Sequence, residues 1–127
     1  MAQRAQRALR VLLVDDTTFM RRMLRDILLR AGFEVAAEAS NGRQAVEAYR
    51  QARPDLVIMD ITMPELDGVA AVREIAGADP AALIVMCSAL GQQELIIEAL
   101  EAGACDFVVK PFVPEKVLEA VRKVTGI

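Results

Sequence analysis

Histidine is missing from this sequence, and its two cysteines, Cys87 and Cys105, sit in separate apolar runs without the CxxC spacing of a metal pair. The residues of a zinc centre are therefore lacking, and both cysteines read as small, reduced core residues. Long apolar runs are missing too: none approaches the ~20 residues that a membrane span requires. The start, MAQRAQRALR, is positively charged but has no apolar stretch of a secretion signal, so a cytoplasmic location is expected. Nor is there an excess of positive charge. Fifteen Lys and Arg against eighteen Asp and Glu leave a net −3, which favours solubility and offers no general attraction to nucleic acid or to an anionic membrane. Linkers, sequence repeats and low-complexity segments are also absent.

What the sequence does have is apolar content. With 54% hydrophobic residues and a mean hydropathy of +0.31, its 127 residues supply one well-filled core, and a single ordered domain is expected. We place that domain at 10–127, with 1–9 as a flexible lead-in whose Arg4 and Arg7, like Arg10 at the boundary, are solvated. Short apolar runs at 11–14, 33–37, 56–59, 83–87 and 107–109 alternate with segments of helical period such as FMRRMLRDILLRAG and QAVEAYRQARP. Each run has the length of a strand buried on both faces. The fold class is α/β: a doubly wound, five-stranded parallel sheet built as (βα)5.

Open sheets of this kind bind ligands beyond the carboxyl ends of their strands, where the strand order reverses. The first run ends in Asp15 and Asp16, the third in Asp60, the fourth in Ser88 and the fifth in Lys110 followed by Pro111, whereas the second ends in the EASNG turn. If the first and third strands are neighbours, the three aspartates converge, and two carboxylates ~5 Å apart at an effective dielectric of ~20 repel by roughly 3 kcal/mol. A cation is expected there. Mg2+ fits, as a hard ion usually held by one or two carboxylates plus phosphate oxygens. Lys110 can meet an incoming anion from the fifth strand, and Ser88 can donate to it. Carboxylates, metal, hydroxyl and ammonium together are the parts of phosphoryl transfer to an aspartate. Taken singly, each has a plainer explanation: Asp15 and Asp16 as a helix cap, Asp60 as a turn residue, Ser88 as a loop hydroxyl, Lys110 as a solvated strand end. Their joint placement at one edge of one sheet favours the site.

Those residues also carry a resemblance. VLLVDD, LVIMDITMPELDG, VMCSALGQQ and DFVVKPF, in that order within residues 10–123, resemble the receiver domains of two-component response regulators, most nearly the stand-alone chemotaxis type. The resemblance implies the flavodoxin-like strand order 2-1-3-4-5, which the spacing alone does not give. It further implies that Asp60 accepts a phosphoryl group from a phosphohistidine on a CheA-like sensor histidine kinase. Asp16 and Asp60 would bind Mg2+ through their side chains and Thr62 through its backbone carbonyl, with Asp15 contributing through water. Ser88 and Lys110 would hold the phosphoryl oxygens, and the Lys110-Pro111 peptide would be cis. On that reading the chain is not an enzyme toward outside substrates and catalyses only its own phosphorylation and dephosphorylation.

A phosphoryl group adds about −1.5 to −2 charges at one point. By resemblance, Ser88 moves toward it and Phe107 swings inward behind. Where relatives carry Tyr, Phe has no hydroxyl to strand on burial, so Phe107 is expected partly inward even beforehand. The fourth helix, fifth strand and fifth helix then form the readout face. In GQQELIIEALEAG, residues 95–97 are wider than one buried stripe, so at least one of them should reach the surface. The resemblance points to Ile96, which with Phe107 and Val109 would receive an amphipathic helix of a FliM-like flagellar motor switch protein. A phosphatase is a further expected partner, and the chain is expected to be a monomer. Leu90 is expected to shield the phosphoryl group from water, and Arg21 and Arg22 to face solvent. A haloacid-dehalogenase-like phosphatase would need D-x-D, where this chain has Thr62, and a flavodoxin-like redox protein would meet its FMN phosphate with the two carboxylates of DDTTF. The alternative that stays open is a receiver with a phosphorelay or other non-flagellar partner, since the sequence ends in VTGI with no effector expected beyond it.

Overall fold

The computed structural model describes residues 8–127, so Arg4, Arg7 and most of the expected lead-in lie outside the described residues. Strands β1 (Arg10–Val14), β2 (Glu34–Ala39), β3 (Leu56–Asp60), β4 (Ile84–Ser88) and β5 (Asp106–Val109) alternate with helices α1 (Thr18–Arg30), α2 (Gly42–Ala52), α3 (Gly68–Ala78), α4 (Gln93–Ala102) and α5 (Pro114–Thr125). Every neighbouring pair is parallel, and the order is β2-β1-β3-β4-β5. The expected (βα)5 architecture and strand order are both present.

Successive strand residues point to opposite faces, and this alternation divides the core in two. Leu12, Val14, Val57, Met59, Ile84 and Met86 meet Ala45 of α2, Val72 and Ile75 of α3 and Ala99 of α4. Val11, Leu13, Ile58, Val85 and Cys87 meet Leu24 and Leu28 of α1 and Val117 and Val121 of α5. Burial on both faces holds for β3 and β4 throughout and for β1 after Arg10, but not for β2 and β5. Those two are the edges of the sheet, and their exposed positions follow from having a neighbour on one side only. Among the described residues no helix is long and apolar enough to cross a membrane.

Three local expectations are corrected. Arg10 is not simply solvated: its guanidinium donates to the carbonyls of Ala52 and Arg53 at 2.9 and 3.0 Å, and its backbone N–H donates to Asp55 Oδ2 at 2.8 Å. It fastens the end of α2 to the start of β1. Phe33 lies in the turn before β2, where its ring packs against the α1 side of the core. Cys87 is buried, but Cys105 is exposed, because it precedes an edge strand and not a central one.

Two close approaches fix the 61–67 loop that leads from β3 into α3. A Cβ on Gly42 would lie 1.9 Å from the Leu66 carbonyl oxygen, and one on Gly68 would lie 2.3 Å from that of Asp60. Asn41 adds a polar tie: its Oδ1 accepts from the Gln44 amide at 2.8 Å, capping α2, while its Nδ2 donates to Glu65 at 3.3 Å. Gly42→Ala is therefore expected to cost about 1–3 kcal/mol or more from overpacking. Gly77→Ala, in α3 with nothing within 4 Å of the added methyl, should instead stabilise by about 0.5–1 kcal/mol. Urea unfolding of the two variants side by side checks the contrast.

Candidate functional site

The strand order reverses at β1, which has β2 on one side and β3 on the other. Asp15 and Asp16 leave β1, and Asp60 ends β3, at the same end of the sheet. One carboxylate oxygen from each lies within 4.8 Å of the others, with Asp15 and Asp60 buried and Asp16 exposed. Asp15 is heavily engaged: Oδ1 accepts from the Thr17 amide at 2.8 Å and Oδ2 from Lys110 Nζ at 3.0 Å.

Lys110 reaches this cluster because β5 runs parallel to β4, with the Lys110 amide donating to the Ser88 carbonyl at 2.8 Å. Its ammonium lies 3.0 Å from Asp15 Oδ2 and 3.2 Å from Asp60 Oδ2. The peptide bond that follows, Lys110-Pro111, is cis, as expected. Burial is the main reason that Asp60 holds its proton more tightly than an ordinary carboxyl. The Asp15 charge adds to this and Asp16 adds less, while Lys110 pulls the other way without cancelling them. For Lys110, burial alone would favour loss of the proton. The hydrogen bond to Asp15 and the charges of Asp60 and Asp15 outweigh it, so the ammonium is held above its usual range.

Ser88 completes the group. It is fully buried, and its Oγ has no hydrogen-bond partner among the described residues. A buried hydroxyl left in that condition costs about 1–3 kcal/mol, so a native fold that keeps one has a use for it. The ligand atoms the cluster offers are carboxylate oxygens, the neighbouring Cys87 thiol is buried, and one carboxylate opens to solvent. That set fits a hard divalent cation such as Mg2+ with an anion close by.

The residues expected on the readout face are placed as follows. Phe107 and Val109 are 38% and 40% exposed and border a groove of about 550 Å³ between β5 and α5, shared with Val113 and Lys116. The Phe107 ring is thus partly covered, and it lies along this groove. In α4, Ile97 is 55% exposed, while Leu95 and Ile96 pack partly buried against the core. At least one of the three does reach the surface, Ile97 most of all: two residues from the buried Ala99, it points to the opposite side of the helix, while Ile96 is half-buried.

Three side chains near the site differ from expectation or escaped it. Arg21 is not solvent-facing; it donates to the Asp15 carbonyl and pairs with Glu38 at 3.0 Å, so it props the loop that carries the acidic pair. Arg22 is exposed, as expected. Leu90 stands 86% exposed and shields nothing in this state. Gln92, which the sequence marks only as part of GQQ, links two loops: its Oε1 accepts from the Ala89 amide at 2.7 Å, and its Nε2 donates to Thr62 Oγ1 at 3.0 Å.

The sequence model of the response regulator receiver domain family matches residues 11–122. The chain belongs to this family. The receiver is 60% identical over 116 residues to the chemotaxis protein CheY of Thermotoga maritima, covering 91% of this chain and 97% of that one. It is 60% identical over 114 residues to CheY of Bacillus subtilis, covering 90% and 95%. Among solved structures it resembles the CheX-CheY-BeF3-Mg2+ complex of Borrelia burgdorferi, with a TM-score of 0.87, 38% identity, and 91% and 88% of the two chains covered.

The charge balance of the receiver's site can be tested through Asp60. Its folded state binds the Asp60 proton more tightly than the unfolded chain does, so stability falls as pH rises through the folded pKa. Asp60→Asn is therefore expected to stabilise the metal-free protein near pH 7, by on the order of 1 kcal/mol. At about pH 3, below the usual carboxyl range, Asp60 is protonated in both states and the difference should vanish. Thermal melts at the two pH values check this, and a less stable variant near pH 7 would mean that the attraction of Lys110 dominates.

Proposed function

We propose that this receiver accepts a phosphoryl group on Asp60 from a sensor histidine kinase, CheA-like in type, and passes the signal to a FliM-like flagellar motor switch protein. The observation that carries the first part is the buried, unpartnered Ser88 hydroxyl beside a lysine that bridges two carboxylates. A phosphoryl oxygen gives Ser88 the acceptor it lacks and gives Lys110 a further anion beside Asp15 and Asp60. Asp60 attacks phosphorus through a carboxylate oxygen, and the bond from phosphorus to the histidine nitrogen breaks. Lys110 keeps the acceptor aligned and neutralises charge that would otherwise oppose the approach of an anion.

Mg2+, when bound, would neutralise the carboxylates and the equatorial phosphoryl oxygens together. Asp16 and Asp60 would hold it through side chains and Thr62 through its backbone carbonyl. Asp15, with both oxygens already engaged, would contribute through water. The Borrelia relative captured with BeF3 and Mg2+ supports this assignment, and its complex with CheX supports a further partner for this chain, in the role expected of a phosphatase.

The output surface is α4, β5 and α5. Phe107 and Val109 offer apolar contact along the groove, and α4 presents Ile97 beside the partly covered Ile96. A short amphipathic helix from the switch protein suits such a surface. The chain acts as a monomeric domain spanning 10–127 in the cytoplasm, and its likeness to chemotaxis CheY proteins over nearly their whole length supports that setting.

Intact-protein mass after incubation with acetyl phosphate tests the chemistry. Wild type should gain one phosphoryl group with magnesium and none without it, and Asp60→Asn should gain none in either case. A gain in Asp60→Asn would move the acceptor elsewhere. For the output, the phosphorylated protein should bind a FliM N-terminal peptide at least ~10-fold more tightly than the unmodified protein, a coupling of the usual allosteric size. Equal binding of the two forms would favour a phosphorelay or other non-flagellar partner.

A further inference from the structure

The connection from β4 into α4 has little holding it. Leu90 stands in solvent, Gly91 takes a positive φ of 88°, and α4 begins without a side-chain hydrogen bond at its N-cap. By contrast, the 61–67 loop on the other side of Asp60 is clamped by Gly42, Gly68 and Asn41. Gln92 is the side chain that ties the loose loop to the fixed one. In the register of the sheet Asp60 pairs with Cys87, so Thr62 and Ala89 each stand two residues beyond that pair, in the loops that follow two adjacent strands. Gln92 spans them, accepting from the Ala89 amide at 2.7 Å and donating to Thr62 Oγ1 at 3.0 Å. The polarity is fixed at one end: only the amide oxygen can accept from a backbone N–H, which leaves the NH2 group for the threonine. Among the described residues this is the one side-chain hydrogen bond between the two loops.

We propose that Gln92 is a positioning residue that straps the β4–α4 connection to the 61–67 loop and thereby limits the access of water to a phosphoryl group on Asp60. This rests on the reading of Asp60 as the acceptor. In the step it controls, a water oxygen attacks phosphorus and the bond from phosphorus to the Asp60 carboxylate oxygen breaks. Asp60 leaves as carboxylate, and hydrogen phosphate and one proton pass to solvent. The strap holds Thr62 and Ala89 together at the mouth through which that water passes, where Leu90, turned outward, gives no cover.

The test follows the decay of protein labelled with acetyl phosphate and magnesium and then freed of the donor, read by intact mass. Gln92→Ala is expected to shorten the phosphoryl lifetime roughly threefold to tenfold, the effect of losing one or two modest hydrogen bonds at a reacting centre. Thr62→Val, which keeps the backbone carbonyl but removes the strap's anchor, should shorten it similarly. Gln92→Ala added to Thr62→Val should change nothing further, because a strap cut at one end is already open. A residue serving stability alone would lower the melting temperature and leave the decay constant where it was. An unchanged or longer lifetime in Gln92→Ala, or fully additive effects in the double variant, would overturn the strap. Failure of the wild type to be labelled at Asp60 is a separate result, which removes the acceptor reading and the strap with it.

Discussion

A single ammonium group placed between two buried carboxylates is what the working end of this molecule depends on. Lys110 bonds Asp15 across 95 positions of sequence and Asp60 across the middle of the sheet. Without it, three aspartates gathered at one strand edge would oppose the register that gathers them. The dependence runs both ways, since the lysine arrives only because β5 pairs with β4 in parallel and ends beside Ser88. Charge and topology are solved together, and burial, reinforced by the Asp15 charge, still leaves Asp60 holding its proton more tightly than an ordinary carboxyl.

Around that pair the supports are uneven. The acidic pair after β1 is braced by Arg21, which reaches both the Asp15 carbonyl and Glu38 of β2. The segment after β3 is pressed between two glycines whose missing side chains make room for backbone carbonyls. After β4 the chain is held chiefly by one glutamine. Local stability follows the number of such ties. The least restrained of these three connections is therefore the one that begins at the free Ser88 hydroxyl and runs into α4, the helix that presents Ile97.

Much of this could be read from the residues in order. The apolar runs gave the five strands to within two residues, because a strand buried on both faces has little choice of composition. The functional cluster was legible because its members end successive strands, and sequence position then implies spatial position. What escaped was long-range and side-chain specific. Arg21 looks like any helix arginine until Glu38 is placed beside it, and Gln92 looks like a polar loop residue until Thr62 is. Arg10 and Cys105 were misjudged because exposure at an edge strand or a strand start depends on neighbours that local pattern does not name. Which of residues 95–97 is the most exposed was not legible for a different reason: that depends on where α4 begins, and a shift of one position turns the side chain by about 100°.

The two thiols differ in a way that experimenters can use. Cys87 is sealed in the core, and burial, reinforced by the nearby Asp60 charge, holds its proton far more firmly than usual, so it is inert to alkylating reagents. Cys105 is exposed, and its backbone amide is anchored to the Ile84 carbonyl, one step before β5 and two before Phe107. Cys105 is therefore an addressable attachment point for a fluorophore or spin label, set on a fixed backbone next to Asp106 at the margin of the β5–α5 groove.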